Sequence, residues 1–416
     1  MKRYSVFFLL LFLSLLCACG TEPSSEDQTD DTADTDGYYD TAFTLDDSYK
    51  AKLSDETVTA AETCAALYQG IDRGTTINTV LDADTIEAMV LSLGDAGYTA
   101  VDSNNTLNLT NPEPIQDFVA AVEDKKDAEA SYYIVYEDGS ICRFLLCSSA
   151  DGHSVITVPI NWTADGTPKA QGIAKYSILD ISYTKKGYLI YERDISNYKI
   201  NKKFTLNPYT LLRVAPLDET CRTLCATYIR PIGYLKNNLF LTSWDQNSLD
   251  TINFNYLYPM LYGLYYHCDP LHSFTADEAY TPVPGTNLFA VPSATFEAMV
   301  GQYFDRTPDQ LRTTAVYDAE GDFYPISIFV SNQKLSTALI PEVTEYWYNE
   351  DGTLTMQVEA VFPKEGTDCA FRHDVTVSVA EDGRFHYLSN RFYDAEKNIL
   401  PSAKMQIDDE ISRYYG

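Results

Sequence analysis

The chain has 416 residues, with 60 Asp and Glu against 30 Lys and Arg, for a formal charge of −30 at pH 7. Such an excess of acid repels phosphate backbones and anionic headgroups, which argues against any nucleic-acid partner. The length exceeds what one hydrophobic core usually serves, so two domains are expected, and nine cysteines are too sparse for a disulfide-stapled scaffold.

Lys2 and Arg3 precede an apolar run, Val6 to Leu16, followed by Leu16-Cys17-Ala18-Cys19-Gly20. Residues 1–18 read as a secretory signal peptide. Its end resembles the lipobox of bacterial lipoproteins, with Cys19 as the residue that carries a diacylglycerol after cleavage. The run is too short to span a bilayer as a mature helix. The expected address is the extracytoplasmic face of the cell membrane, with the lipid on Cys19 as the membrane contact.

Residues 19–50 are expected to be the lipidated cysteine and a disordered acidic linker, since ten acids face Lys50 alone and large aliphatics are scarce. Excluding this stretch and the leader, residues 51–416 keep a charge of −23. Thr32–Phe43 echoes a calcium loop through Asp34, Asp36 and Gly37, but Thr32 and Phe43 stand where acidic ligands are needed.

The first domain is expected over residues 51–280. Ile86, Met89, Val90 and Leu93 give a helix over 83–93, capped by Asp82 or Asp84 and stopped at Gly94. A second helix starts with Asn111 as cap and Pro112 in the first turn, burying Ile115, Phe118, Val119 and Val122. Tyr132–Tyr136 and Ile141–Cys147 flank Glu137-Asp138-Gly139-Ser140 as a hairpin. Strands follow at 154–160, 173–183 and 187–194, and residues 206–268 read as partly helical.

Thr281-Pro282-Val283-Pro284-Gly285 reads as a junction, with a second domain over 286–416. Phe296, Met299, Val300 and Tyr303 give a helix face, and Thr307 with Gln310 a capping box. Leu354, Met356, Val358, Ala360 and Phe362 alternate with polar residues, as do Phe371, Val375, Val377 and Val379, with turns at Asp351-Gly352 and Asp382-Gly383. These are strands of an antiparallel sheet with one buried face. The expected class is α+β: two domains, each a hairpin-built antiparallel sheet with a few packing helices.

Phe289-Ala290-Val291-Pro292-Ser293, Phe296-Glu297, Tyr303-Phe304-Asp305, Gln310-Leu311-Arg312 and the stretch from Asp351 to Asn390 resemble uncharacterised lipoproteins of Gram-positive gut anaerobes. The resemblance covers residues 286–394. It implies an envelope lipoprotein with a domain of unknown function, and it supplies no catalytic residues.

The tests for chemistry return little. Ser196–Lys199 and Ser331–Lys334 fit S-x-x-K, but no K-T-G accompanies them. G-x-S-x-G, phosphate-loop and dinucleotide motifs are absent. His373 and His386 flank one turn, yet with His386 facing Val379 and His373 facing Phe392 they stand roughly 20 Å apart along the ladder and share no metal. Cys221 and Cys225 lie on one helix face. They read as buried thiols, with a disulfide, or zinc with His267 and Cys268, as the alternatives.

Aromatics are the remaining signal. Tyr256, Tyr258, Tyr262, Tyr265 and Tyr266 crowd into residues 253–268, as candidate binding aromatics for a glycan or protein ligand or as part of a helix pair packed around Pro259. Tyr346, Trp347 and Tyr348 read as sheet packing. The functional expectation is a lipid-anchored, non-catalytic binding or structural module that needs no cofactor or metal. The alternatives are a hydrolase acting on envelope or host glycans or peptides, and a solute-binding lipoprotein of an importer.

Overall fold

The computed structural model describes residues 45–69, 81–196, 207–235, 237–267, 280–327 and 339–393, and its class is α+β. Helix α1 (Asp47–Glu62) begins ahead of Ala51, because the Asp46 carboxylate caps it by accepting from the backbone N–H of Ser48 at 2.9 Å. Helix α2 (Ala65–Gln69) follows.

Helix α3 (Ala83–Asp95) is capped by Asp82, which accepts from the Thr85 backbone N–H at 2.7 Å. Gly94 does not stop it. The glycine lets the neighbouring loop approach, since a Cβ there would meet Thr110 at 2.8 Å. The same loop corrects the expected cap of helix α4 (Glu113–Glu123). Asn111 adopts φ 43° and donates its amide to the carbonyls of Gly94 (2.8 Å) and Tyr98 (3.0 Å), which leaves Pro112 at the cap position.

The first sheet holds β1 (Ala100–Asp102), β2 (Ala128–Val135), β3 (Ile141–Ser149), β4 (Gly152–Trp162), β5 (Pro168–Ala170), β6 (Ala174–Tyr183), β7 (Tyr188–Arg193) and β8 (Tyr209–Arg213). Its order is β1-β2-β3-β4-β6-β7-β8, with β5 on the far end of β4. Every pairing is antiparallel except β1 with β2.

Both faces of the central strands are covered. Tyr132, Phe144 and Leu146 join Ile115 and Phe118 of α4 in one core, while Tyr133, Val135 and Ile141 join Met89, Val90 and Leu93 of α3 on the other. This is why these strands read as nearly continuous apolar runs.

The described residues beyond the first sheet build one larger core. Helix α5 (Glu219–Leu224) runs into a π-helical turn, Cys225–Ile229, and helix α6 spans Phe254–Tyr266. Strands β9 (Thr281–Pro282), β10 (Leu288–Pro292) and β11 (Phe323–Ser327) form a small sheet, with helices α7 (Ser293–Gly301) and α8 (Pro308–Thr314) between β10 and β11. The Thr307–Gln310 capping box forms as expected. The stretch read as a junction thus contributes β9, paired with β10.

Strands β12 (Ile340–Tyr348), β13 (Leu354–Phe362), β14 (Thr367–Val379) and β15 (Phe385–Phe392) make an antiparallel sheet in that order. Leu354, Met356, Val358, Ala360 and Phe362 all face the core that also holds Cys225, Leu257, Leu261 and Phe296. Tyr188, Ile190 and Leu211 of the first sheet pack on Val361 of β13, so the two sheets share a seam.

One register expectation is corrected. His373 does face Phe392, but a bulge after Thr376 shifts the ladder, so His386 faces Ser378 rather than Val379.

Candidate functional site

Helix α6 carries the tyrosine cluster, and it is one helix rather than a pair. It runs through Pro259, opened by the Asn253 side chain and closed by left-handed His267. Asn255 clamps it: its buried amide donates to the carbonyls of Val316 (2.9 Å) and Pro325 (3.0 Å) and accepts from the Val316 N–H (2.9 Å).

The clamp fixes which tyrosines are inside. Tyr256 packs with Val283 and Leu288. Tyr258 stacks on Phe296 at 4.9 Å and meets the Tyr280 hydroxyl at 3.0 Å, and Tyr262 lies 5.8 Å from the Tyr280 ring. These three are core residues, which corrects their candidacy for binding. Tyr265 and Tyr266, in the last turn, are 47% and 53% exposed, with ring centroids 4.9 Å apart.

Beneath the exposed pair, other aromatics are packed into the core edge. Burial, then the neighbouring Tyr265 phenol, pushes the Tyr303 hydroxyl up to about 12. Tyr303 lies 5.4 Å from Phe385, and Phe385 meets Tyr228 edge-on at 4.8 Å. Burial and then Tyr348 raise the Tyr228 pKa, and Tyr348 pairs with Tyr346 at 6.5 Å. Tyr346 and Tyr348 lie opposite Met356 and Leu354, hence on the face carrying those core residues.

Contrary to the sheet-packing expectation, Tyr346, Trp347 and Tyr348 are exposed, Tyr348 at 71%. The cause is positional: they follow the bulge after Val343, on a strand that is at the edge of its sheet among the described residues. Alternation alone could not show that.

Other titratable groups are enclosed by structure. His373 is fully buried. Its imidazole bonds the Tyr234 hydroxyl at 2.8 Å and Asn390 Oδ1 at 2.6 Å, and burial pushes its pKa down to about 4. Between the sheets, Glu342 binds Arg213 (2.8 Å), Lys186 (2.7 Å) and the Tyr188 hydroxyl, while Glu359 binds Lys186 (3.0 Å) and Arg372.

Cys64, Cys142, Cys147, Cys221, Cys225 and Cys369 are all free, with thiols raised chiefly by burial. The disulfide alternative for Cys221 and Cys225 therefore falls. Among the described residues no group of three His, Cys, Asp or Glu side chains is arranged to hold a metal. Cys19, Cys268, the calcium-loop echo and Ser331–Lys334 lie outside the described residues.

A model of a family of unknown function, DUF6070, matches residues 50–406. The likeness therefore extends well beyond the stretch 286–394, over both sheets. No curated protein and no solved structure matches the chain. It belongs to the DUF6070 family.

Proposed function

We propose that this member of the DUF6070 family is a lipid-anchored protein on the extracytoplasmic face of a cell membrane, where it binds a neutral glycan without transforming it. The leader and Cys19 support the address, as does the resemblance of residues 286–394 to lipoproteins of Gram-positive gut anaerobes. The observation that carries the binding reading is the exposure of two aromatic pairs, Tyr265 with Tyr266 and Tyr346 with Tyr348.

Exposed aromatics forgo the burial that usually stabilises such side chains. Each tyrosine offers an apolar ring face for a sugar ring and a hydroxyl for its polar edge. The charge of −23 on residues 51–416 disfavours acidic polymers and favours a neutral one.

Two experiments test the parts separately. Cys19→Ser is expected to release the protein from the membrane fraction, and unchanged retention refutes the anchor. The detergent-solubilised full chain is expected to sediment with an insoluble neutral polysaccharide such as cellulose, chitin or β-glucan. The Tyr266→Ala/Tyr348→Ala double variant should remain in the supernatant. Equal sedimentation of both proteins, or of neither, refutes the aromatic surface as a glycan site.

A further inference from the structure

A cleft of about 530 Å³ opens between α3, the loop after β1, the β2–β3 turn and α5 with its π-turn. Its volume falls within the range of small-molecule sites. One wall carries Arg222, Ala226 and Arg230. These positions flank and enter the π-turn Cys225–Ile229, a deviation that often accompanies functional sites. The opposing walls present Glu87 and Glu137, with Glu219 at the start of α5.

The cleft is held rigidly. Asp102 lines it but is committed to its own loop, accepting from the N–H groups of Asn104 (3.2 Å), Thr106 (3.0 Å) and Leu107 (2.8 Å) and from the Thr106 hydroxyl (2.9 Å). The loop is tied to the segment leading into α5. Asn105 exchanges hydrogen bonds with the Leu211 carbonyl (3.1 Å) and the Arg213 N–H (2.9 Å), and Asn108 does so with Leu217 (3.2 and 3.0 Å). Preorganised walls of this kind lower the ordering cost of binding.

The charges in the cleft are not closed on each other. Among the described residues the Arg222 guanidinium has no ion-pair or hydrogen-bond partner, and its Nε is buried in the wall. Glu87 and Glu219 likewise make no ion pair within this set. Arg222 is half-buried and lines the cleft, so the terminal nitrogens of its guanidinium, rather than the covered Nε, are open to a ligand carboxylate. A purely anionic ligand would face the carboxylates, and a purely cationic one the arginines.

We infer that this cleft binds a short peptide with free termini, its carboxylate on Arg222 and its ammonium on the carboxylates led by Glu87. The volume exceeds what a single amino acid needs. The inference rests on the reading of the chain as a binding protein, and it adds a second, chemically distinct ligand site to it.

The test is calorimetric titration of the detergent-solubilised full chain with trialanine, N-acetyl-trialanine and trialanine amide. Trialanine is expected to bind, and each blocked form to bind at least tenfold more weakly. In Arg222→Met the preference for trialanine over its amide should vanish. In Glu87→Gln, an exposed helix position that keeps the fold, the preference over the acetylated form should shrink. Circular dichroism checks that both variants are folded.

Equal binding of all three peptides, no heat from trialanine, or a folded Arg222→Met that keeps its preference each overturns the inference. Polysaccharide sedimentation of the same proteins reads the exposed tyrosines independently. A chain that binds glycan but ignores trialanine fails here alone.

Discussion

Two groups of charged side chains differ in whether they close on themselves. Between the sheets, Lys186 directs its ammonium to Glu342 (2.7 Å), Glu359 (3.0 Å) and the Asp368 carbonyl (2.8 Å), and Arg213 places one terminal nitrogen on both oxygens of Glu342 (2.8 and 3.0 Å). Among the described residues the buried Nε of Arg213 is left without a partner there. Burial opposes the Glu359 charge, but Lys186 and Arg372 outweigh it and hold the carboxyl below its usual range. In the cleft, Arg222 and Glu87 find no such partners among the described residues. A closed set of charges joins two layers of a fold, whereas an open set on rigid walls is available to something else.

The sharpest way to break that comparison is to open the closed set. Glu342→Ala strands Arg213, Lys186 and Tyr188 in a buried seam and is expected to cost about 4 kcal/mol, read by urea denaturation. A loss under about 1 kcal/mol would show that the seam is solvated rather than closed.

The aromatic residues repeat the contrast within one helix. Tyr262→Ala should cost about 3 kcal/mol by leaving a cavity beside Tyr280. Tyr265→Ala, three residues on, should stay within about 0.5 kcal/mol of the parent. Similar losses at both positions would erase the division of α6 into core and surface.

His373 sharpens the closed side through pH. Its folded pKa of about 4 lies below the ordinary 6.5, so between those values the unfolded chain binds the proton that the folded one refuses. Stability contributed by the neutral ring is complete above pH 6.5 and is lost as pH falls towards 4, by about 3 kcal/mol in all. Denaturation midpoints measured across that window should fall for the parent and flatten for His373→Gln. The smallest effect belongs to the open side: Arg222→Met should leave stability within about 0.5 kcal/mol.

Much of this was legible in sequence where local chemistry dominates. Alternation marked β13 and β14, turn residues marked the β2–β3 hairpin, and Thr307 with Gln310 marked the start of α8. What failed depended on distant neighbours. Asn111 looked like a cap, but the carbonyls of Gly94 and Tyr98 lay within its reach. Tyr346 and Tyr348 carried a strand pattern that says nothing about whether another layer covers them.

The tyrosines of α6 were noticed as a cluster, but their division needed the Asn255 clamp. The cleft left only one trace in the chain, two arginines eight positions apart in an acidic protein. The π-turn between them has no reliable sequence sign.

The six free thiols of the described residues bear on how the chain would fare on the export route proposed above. Burial lifts every one of them, Cys221 to about 11 and Cys142 to about 12. At pH 7 roughly one Cys221 in ten thousand is then a thiolate, the form that oxidants and disulfides attack. These six thiols would resist scrambling in an oxidising compartment without forming bridges among themselves. The same thiols are unprotected in the nascent chain, where the ordinary pKa near 8.5 applies. On an export route, folding therefore competes with oxidation, and a slow-folding variant should accumulate wrongly bridged material before it shows any loss of equilibrium stability.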